Sequence, residues 1–323
     1  MKPRIGITLG DVNGIGPEVM LKSLRKTEVW DVCQPLIIGP EILVQQLRDL
    51  FAPQLQLPPI LSGNFTSVAH FPGRPNAADA GKLSGEMIEH GVGWIQQGLI
   101  DAIVTMPISK VGLNAGGYPF PGHTEMLAER AGGTPLMILA TEGLRVALAT
   151  IHQPISRVPG LLTPERITHH ATIFSESLRG DFGIANPRVA LLGLNPHAGE
   201  EGTIGTEELE VIIPAVATLQ ASGIAVNGPF PADGFFARYR PGDYDGVLAM
   251  YHDQGLIPLK MMARGGGVNI TAGLPIVRTS PDHGTAYPIA GTNQADERSS
   301  TEAIVAAAAI VRARRGKSGG AVE

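Results

Sequence analysis

The 323-residue sequence has a single cysteine, so no internal disulfide framework can form and a bridged extracellular scaffold is excluded. That cysteine, Cys33, sits in the apolar run around Val32 and Leu36 and reads as a buried, inert thiol in a reducing compartment. Dense blocks of Lys or Arg are missing and the formal charge is −5, which leaves no electrostatic footprint for nucleic acid or an anionic membrane. No internal repeat is visible. Met1 and Lys2 lead straight into a strand-like segment, Ile5 to Leu9, without the apolar stretch of a signal peptide or spanning helix. The expected setting is the cytoplasm, with a small molecule as partner and with neither nucleic acid nor membrane. A GxGxxG turn after the first strand, followed about twenty positions later by an acidic residue, is also missing. The glycines of GDVNGIGPE only imitate that dinucleotide fingerprint.

What is present is core material: 43% hydrophobic residues against 17% charged. The length suggests two domains or one large α/β unit. Short runs rich in Val, Ile, Leu and Ala end abruptly in Gly, Pro, Asn, His or Asp: RIGITLGD, PLIIGP, DAIVTMP, LRVALATIH, RVALLGLNPH and DGVLAMYHD. Such runs predict buried strands of a mainly parallel sheet. Helical spacing over Ser84 to Gln97, Pro164 to Leu178 and Glu207 to Gln220 alternates with them, so the fold class is α/β. GDVNGIGPE reads as strand, glycine turn and helix N-terminus, with Pro17 and Glu18 opening the helix. Pro53 to Pro59 and Phe71 to Pro75 read as surface loops, EAIVAAAAIVRARR as a C-terminal helix, and GKSGGAVE as a frayed tail.

Three strand-like runs finish in a histidine: His152, His197 and His252. Groups just beyond the carboxyl ends of strands in an open α/β sheet converge on the ligand crevice. Three imidazoles there would suit a catalytic divalent metal, leaving positions open for substrate or water. The plainer reading of any one of them is a hydrogen-bonded histidine at a strand end. Asp253 either orients the His252 imidazole or caps a helix. Lys260, Asn269 and Arg278 suit phosphate or carboxylate recognition, against the alternative of solvated surface. His123 and Thr124 open the helix TEMLAERA and either present donors to an anion or belong to an ordinary capped helix. The pair His169 and His170 reads as a solvated helix face.

GDVNGIGPE, PFPGHTEMLAER, LGLNPHAGEEGTIGTEE, GPFPADGFF, MYHDQGLIPLK and GVNITAGLPIVRTSPDHGTA resemble, in this order, the motifs of the 4-hydroxythreonine-4-phosphate dehydrogenase family of pyridoxal phosphate synthesis. The resemblance runs from about Ile5 to Ala306. It implies a homodimer of two-domain subunits similar to isocitrate and isopropylmalate dehydrogenases, with each active site shared between subunits. The domains it implies are residues 1–128 with 266–323 on the nucleotide side, and a central domain, 129–265, for metal, substrate and dimer contacts. It assigns His152, His197 and His252 to a divalent metal (zinc, cobalt, manganese or magnesium) and His123, Thr124, Lys260, Asn269 and Arg278 to substrate. Asp233, Asp253 and Lys260 form the catalytic set.

By relation to the isopropylmalate enzymes, DHGTAYPIAGTNQAD would hold the adenosine of NAD or NADP near His283, Gly284, Thr285 and Asp296. The chain departs from the family at Pro281 and over Thr292 to Gln294. The implied reaction is metal-assisted loss of hydride from the carbinol carbon of a phosphorylated hydroxy amino acid. Two other readings stand beside it. One is a sibling dehydrogenase acting on a phosphorylated threonate-type acid or a cis-dihydrodiol. The other is a metal-dependent hydrolase or non-catalytic phosphate-binding protein that reuses the cleft.

Overall fold

The computed structural model describes residues 1–318. The chain forms two compact units, one from Met1–Pro135 with Val268–Arg315 and one built around Leu136–Gly267. The change of unit falls after the helix His123–Ala131, which the first unit keeps whole; the expected limit at Glu129 lies inside that helix.

The first unit contains β1 (Arg4–Thr8), β2 (Gln34–Ile38), β3 (Ile60–Leu61), β4 (Ala102–Val104), β10 (Val268–Ala272) and β11 (Arg278–Pro281), in the spatial order β3-β2-β1-β4-β11-β10. All neighbours run parallel except β10 and β11. Ile5, Ile7, Ile37, Ile38, Ile103 and Val104 are buried. Burial of strands on both faces explains why these runs are continuously apolar rather than alternating. Each such side chain contributes roughly 1.5–3 kcal/mol.

The second unit contains β5 (Leu136–Thr141), β6 (Leu144–Leu148), β7 (Val189–Leu192), β8 (Val226–Phe230) and β9 (Gly246–Ala249), in the order β5-β6-β9-β7-β8. Only β5 and β6 pair antiparallel. The helix His252–Ala263 packs Leu256 and Leu259 onto the core of Val146, Leu148, Val247 and Ala249. Its close approach depends on Gly255, where a Cβ would stand 2.5 Å from Val146 Cγ1 and 2.9 Å from Ala249 Cβ. This contact sets where the helix start, and therefore His252, lies relative to the sheet.

All six strand-like runs form strands, and the helices Ala78–Gln96 and Pro164–Gly180 cover the first two helical segments. The third segment departs from expectation: a wide turn over Glu208–Ile212 precedes a regular helix, Ile213–Ala221. Pro214 lacks the N–H that would bond back to residue 210, so the regular ladder begins only beyond it. His169 is exposed, but His170 is half-buried with an unpartnered Nδ1, so only His169 lies on a solvated face. The C-terminal helix Arg298–Ser318 runs past Gly316, which corrects the expectation of a frayed tail there. Residues 319–323 of that segment lie outside the described residues. Among the described residues, no helix is long and apolar enough to cross a membrane.

Candidate functional site

The candidate residues divide between the two units. In the second unit, β6, β9 and β7 are parallel neighbours, so the segments bearing His152, His252 and His197 all leave from the same end of the sheet. The strand ends are tied together. Thr150 Oγ1 donates to the Met250 carbonyl at 2.7 Å, and Gln254 accepts from Met250 N at 2.7 Å while donating to the Gly193 carbonyl at 2.5 Å.

His152 and His252 come together, with ring centroids 5.5 Å apart. The His252 imidazole donates through Nδ1 to Asp253 Oδ1 at 2.7 Å, which leaves Nε2 for a metal. Asp253 thus contacts the imidazole rather than capping the helix, whose capping residue is Tyr251, without a side-chain cap. His197 lines a separate cavity of about 490 Å³ with Phe230, Asp233, Phe235, Tyr239 and Tyr244. Asp233 is exposed there, its Oδ1 accepting from Gly234 N at 2.7 Å. Among the described residues, no group of three or more His, Cys, Asp or Glu stands close enough to hold a metal ion. One chain thus pairs two of the three histidines and keeps the third apart. His152 and His197 both have left-handed backbone, φ 40° and 53°. Such conformations are uncommon outside glycine and cluster at functional sites. Lys260, also in this unit, lies exposed toward the end of the helix that His252 begins.

In the first unit, Arg278 is 2% exposed. Its Nη1 donates to Thr271 Oγ1 at 2.9 Å, and its Nε and Nη2 donate to Thr105 Oγ1 at 3.0 and 2.7 Å. Burial pulls its pKa down to about 9, with the Glu125 charge opposing, so it remains a cation at neutral pH. Among the described residues its hydrogen bonds go to hydroxyls, and the Glu125 charge only partly offsets its desolvation. His123 opens the helix His123–Ala131, which has no side-chain cap. Burial first, then the Arg278 and Lys110 charges, hold His123 well below the usual histidine range, against a bond to the Met106 backbone. Its Nε2 has no partner, nor has the buried Oδ1 of Asn269. Thr124 follows His123 at the same helix start, where backbone N–H groups and the helix dipole favour an anion. A neutral imidazole, a cation and a helix N-terminus stand together here, a set of groups chemically suited to a phosphate or carboxylate.

The loop over residues 282–297 is anchored to the first glycine turn. Ile15 N donates to the Thr285 carbonyl at 2.9 Å, Tyr287 Oη donates to Asp11 Oδ2 at 2.6 Å, and Ala295 N donates to Glu18 Oε1 at 2.7 Å. His283 is half-buried with an unpartnered Nε2, and Gly284 is exposed. Asp296 is exposed and held by Arg298, whose Nη2 reaches Oδ2 at 2.6 Å. That bond, and secondarily the His283 charge, keep its carboxyl below the usual range against the effect of burial.

Sequence reasoning missed Thr105, Thr271, Lys110, Gln254 and Arg298. Thr271 was within reach, because period-two alternation puts it on the face of Asn269 in β10. Thr105 stands one residue past β4 and carries no comparable signal.

A family model described as pyridoxal phosphate biosynthetic protein PdxA matches residues 31–307. A 4-hydroxythreonine-4-phosphate dehydrogenase of Desulfosudis oleivorans is 44% identical over 320 residues, covering 94% of each chain. One of Bacteroides thetaiotaomicron is 42% identical over 329 residues, 97% of this chain and 90% of the relative. The crystal structure of a 4-hydroxythreonine-4-phosphate dehydrogenase from Klebsiella pneumoniae matches with a TM-score of 0.85 at 36% identity, covering 96% of this chain and 98% of that one. A terephthalate 1,2-cis-dihydrodiol dehydrogenase from Burkholderia xenovorans matches with a TM-score of 0.67 at 28% identity, with the same coverage of 96% and 98%.

Proposed function

This chain belongs to the PdxA family of pyridoxal phosphate biosynthetic proteins, and on that membership we propose that it oxidises 4-phosphooxy-L-threonine with NAD or NADP. The product, 2-amino-3-oxo-4-phosphooxybutanoate, loses carbon dioxide to give 3-amino-2-oxopropyl phosphate. The observation that carries the choice of a phosphorylated substrate is Arg278: a buried cation, hydrogen-bonded to hydroxyls among the described residues, beside a neutral histidine at a helix N-terminus.

In this reading Arg278, His123, Thr124 and Asn269 hold the phosphate, and Lys260 is kept as a substrate contact on the family resemblance. Contacts remote from the reacting carbon fix its orientation, and a misplacement of about 1 Å costs on the order of a hundredfold in rate. His152, His197 and His252 are the metal ligands. The donor set fits a divalent ion: two imidazoles stand on neighbouring strand ends, and Asp253 fixes one of them in the tautomer that frees Nε2. When bound, the metal supplies Lewis acidity toward the substrate oxygen. Asp253 keeps the His252 ring in place, and Asp233 adds a carboxylate to the cavity that His197 lines. His283, Gly284, Thr285 and Asp296 hold the adenosine end of the cofactor. The setting is the cytoplasm.

A homodimer belongs to the same reading, with metal ligands drawn from both subunits. Its support is apolar surface near the candidate ligands. Ile257 and Met261, one helical turn apart on the helix that His252 begins, are 59% and 73% exposed. Leu209 and Ile213, also four residues apart, are exposed beyond the His197 turn.

The test is one panel: purified protein with divalent metal, NAD and NADP, offered 4-phosphooxy-L-threonine, a phosphorylated threonate and a cis-dihydrodiol, and followed at about 340 nm for reduced cofactor. The first substrate is expected to give the highest kcat/KM. A preference for the dihydrodiol would favour the activity named for the Burkholderia xenovorans relative. No reduction with any alcohol would favour a hydrolase or a binding protein. His252→Ala is expected to lower both metal content and turnover; retention of both would remove His252 from the ligand set.

A further inference from the structure

Five consecutive residues after β7, His197 to Glu201, stand in the left-handed region, with φ between 43° and 79°. Only Gly199 among them lacks a Cβ, and each of the others pays for a conformation that L-residues avoid. Such a run persists only where its surroundings hold it.

The holding group is Glu208. This side chain is 1% exposed and stands at the start of the wide turn Glu208–Ile212. Its Oε1 accepts from the backbone N–H groups of Leu194 and Asn195, both at 2.7 Å, and its Oε2 accepts from Asn195 Nδ2 at 2.9 Å. The same Oε2 lies against the middle of the run, where a Cβ on Gly199 would stand 2.6 Å from it. One carboxylate thereby grips the entry to the turn and seats its centre. Its hydrogen-bond donors are all uncharged. A desolvated carboxylate without a cation is costly, and an apolar residue in its place would leave the Leu194 and Asn195 donors without their acceptor. What it uniquely provides is acceptor capacity at both oxygens. Glutamine would turn an NH2 group toward Asn195 Nδ2, donor against donor.

We propose that Glu208 is a positioning residue whose carboxylate clamps the left-handed turn and so presents the His197 imidazole to the divalent metal. This rests on the reading of His197 as a metal ligand. Glu208 itself touches neither metal nor substrate. Its influence falls on metal affinity and on ligand geometry.

The experiment compares metal-stripped full-length wild type, Glu208→Gln, Gly199→Ala and His197→Ala. Zn²⁺ affinity is measured by competition with a chromophoric chelator, and the visible absorption of the Co²⁺-loaded proteins reports coordination geometry. Folding of each variant is checked by circular dichroism. Loss of a group that orients a metal ligand typically weakens affinity about 10- to 100-fold. Glu208→Gln is expected to weaken Zn²⁺ binding about tenfold or more and to alter the Co²⁺ spectrum while the protein stays folded. Gly199→Ala forces a Cβ against Glu208 Oε2 from the other side and is expected to do the same; it decides the question where Glu208→Gln does not fold. Wild-type affinity and an unchanged Co²⁺ spectrum in either folded variant, with His197→Ala impaired, overturn the clamp and leave the ligand assignment standing. Wild-type affinity in His197→Ala overturns the ligand assignment, and the clamp with it.

Discussion

Thr105 Oγ1 accepts two hydrogen bonds from one guanidinium, those of Arg278 Nε at 3.0 Å and Nη2 at 2.7 Å. Thr105 follows β4 and Arg278 opens β11, so the pairing of these two parallel strands places the hydroxyl at the cation. Thr105→Val keeps the shape and removes the acceptor. Donors left unpaired on a buried cation cost about 1–3 kcal/mol. The KM for the phosphorylated substrate is expected to rise about tenfold, equivalent to roughly 1.4 kcal/mol. Steady-state kinetics check this, and an unchanged KM would remove Arg278 from the anion site.

Tyr287→Phe tests the cofactor loop. The lost bond ends on Asp11, a carboxyl raised above its ordinary value chiefly by burial, with the Tyr287 and Asn13 bonds opposing. A hydrogen bond to a charged group is worth about 1.5–3 kcal/mol. The KM for NAD or NADP is expected to rise at least severalfold, with the KM for the phosphorylated substrate unchanged. Equal effects on both constants would argue that the loop does not serve the cofactor.

Met261→Glu places a charge on the apolar stripe shared with Ile257. Sedimentation velocity at micromolar concentration is expected to show a dimer for the wild type and a shift toward monomer for the variant, with activity lost in parallel. A fully active wild-type monomer would contradict a shared site.

His170 is expected to contribute an acid limb of stability. Burial first, then the Arg166 and His169 charges, lower its pKa from 6.5 to about 4, against a bond to the Leu148 backbone. Because the folded value lies below the unfolded one, the unfolded chain takes up its proton first as the pH falls. The contribution is therefore whole above pH 6.5 and is lost progressively toward pH 4. His170→Phe is expected to flatten this limb. Urea midpoints at pH 7 and pH 4.5 measure it, and parallel falls in wild type and variant would refute the assignment.

The strands most legible in the sequence are those buried on both faces. The runs at Ile5, Leu36 and Val247 are continuously apolar because helices or loops cover both sides of the sheet. β8, β10 and β11 gave no such signal. VNGPF and RTSP carry Pro, Gly or polar residues, and they become strands through their neighbours. The histidines were legible through their place after those apolar runs. Their grouping was not: His152 and His252 meet across adjacent strands, while His197 is carried aside by a left-handed turn. Arg278 was visible as a cation, but its burial depends on β10 and β4, which flank β11 and lie near and far from it in the chain.

The chain's order of residues determined the α/β class, the strand ends that bear histidines and the absence of a disulfide framework, because periodicity and composition act locally along the backbone. Tertiary structure alone decided that Arg278 is a desolvated cation, that the His152 and His252 rings meet, and that Glu208 is buried against the turn of His197. Desolvation and hydrogen-bond geometry depend on which distant segments share a neighbourhood, and spacing along the chain does not carry that information.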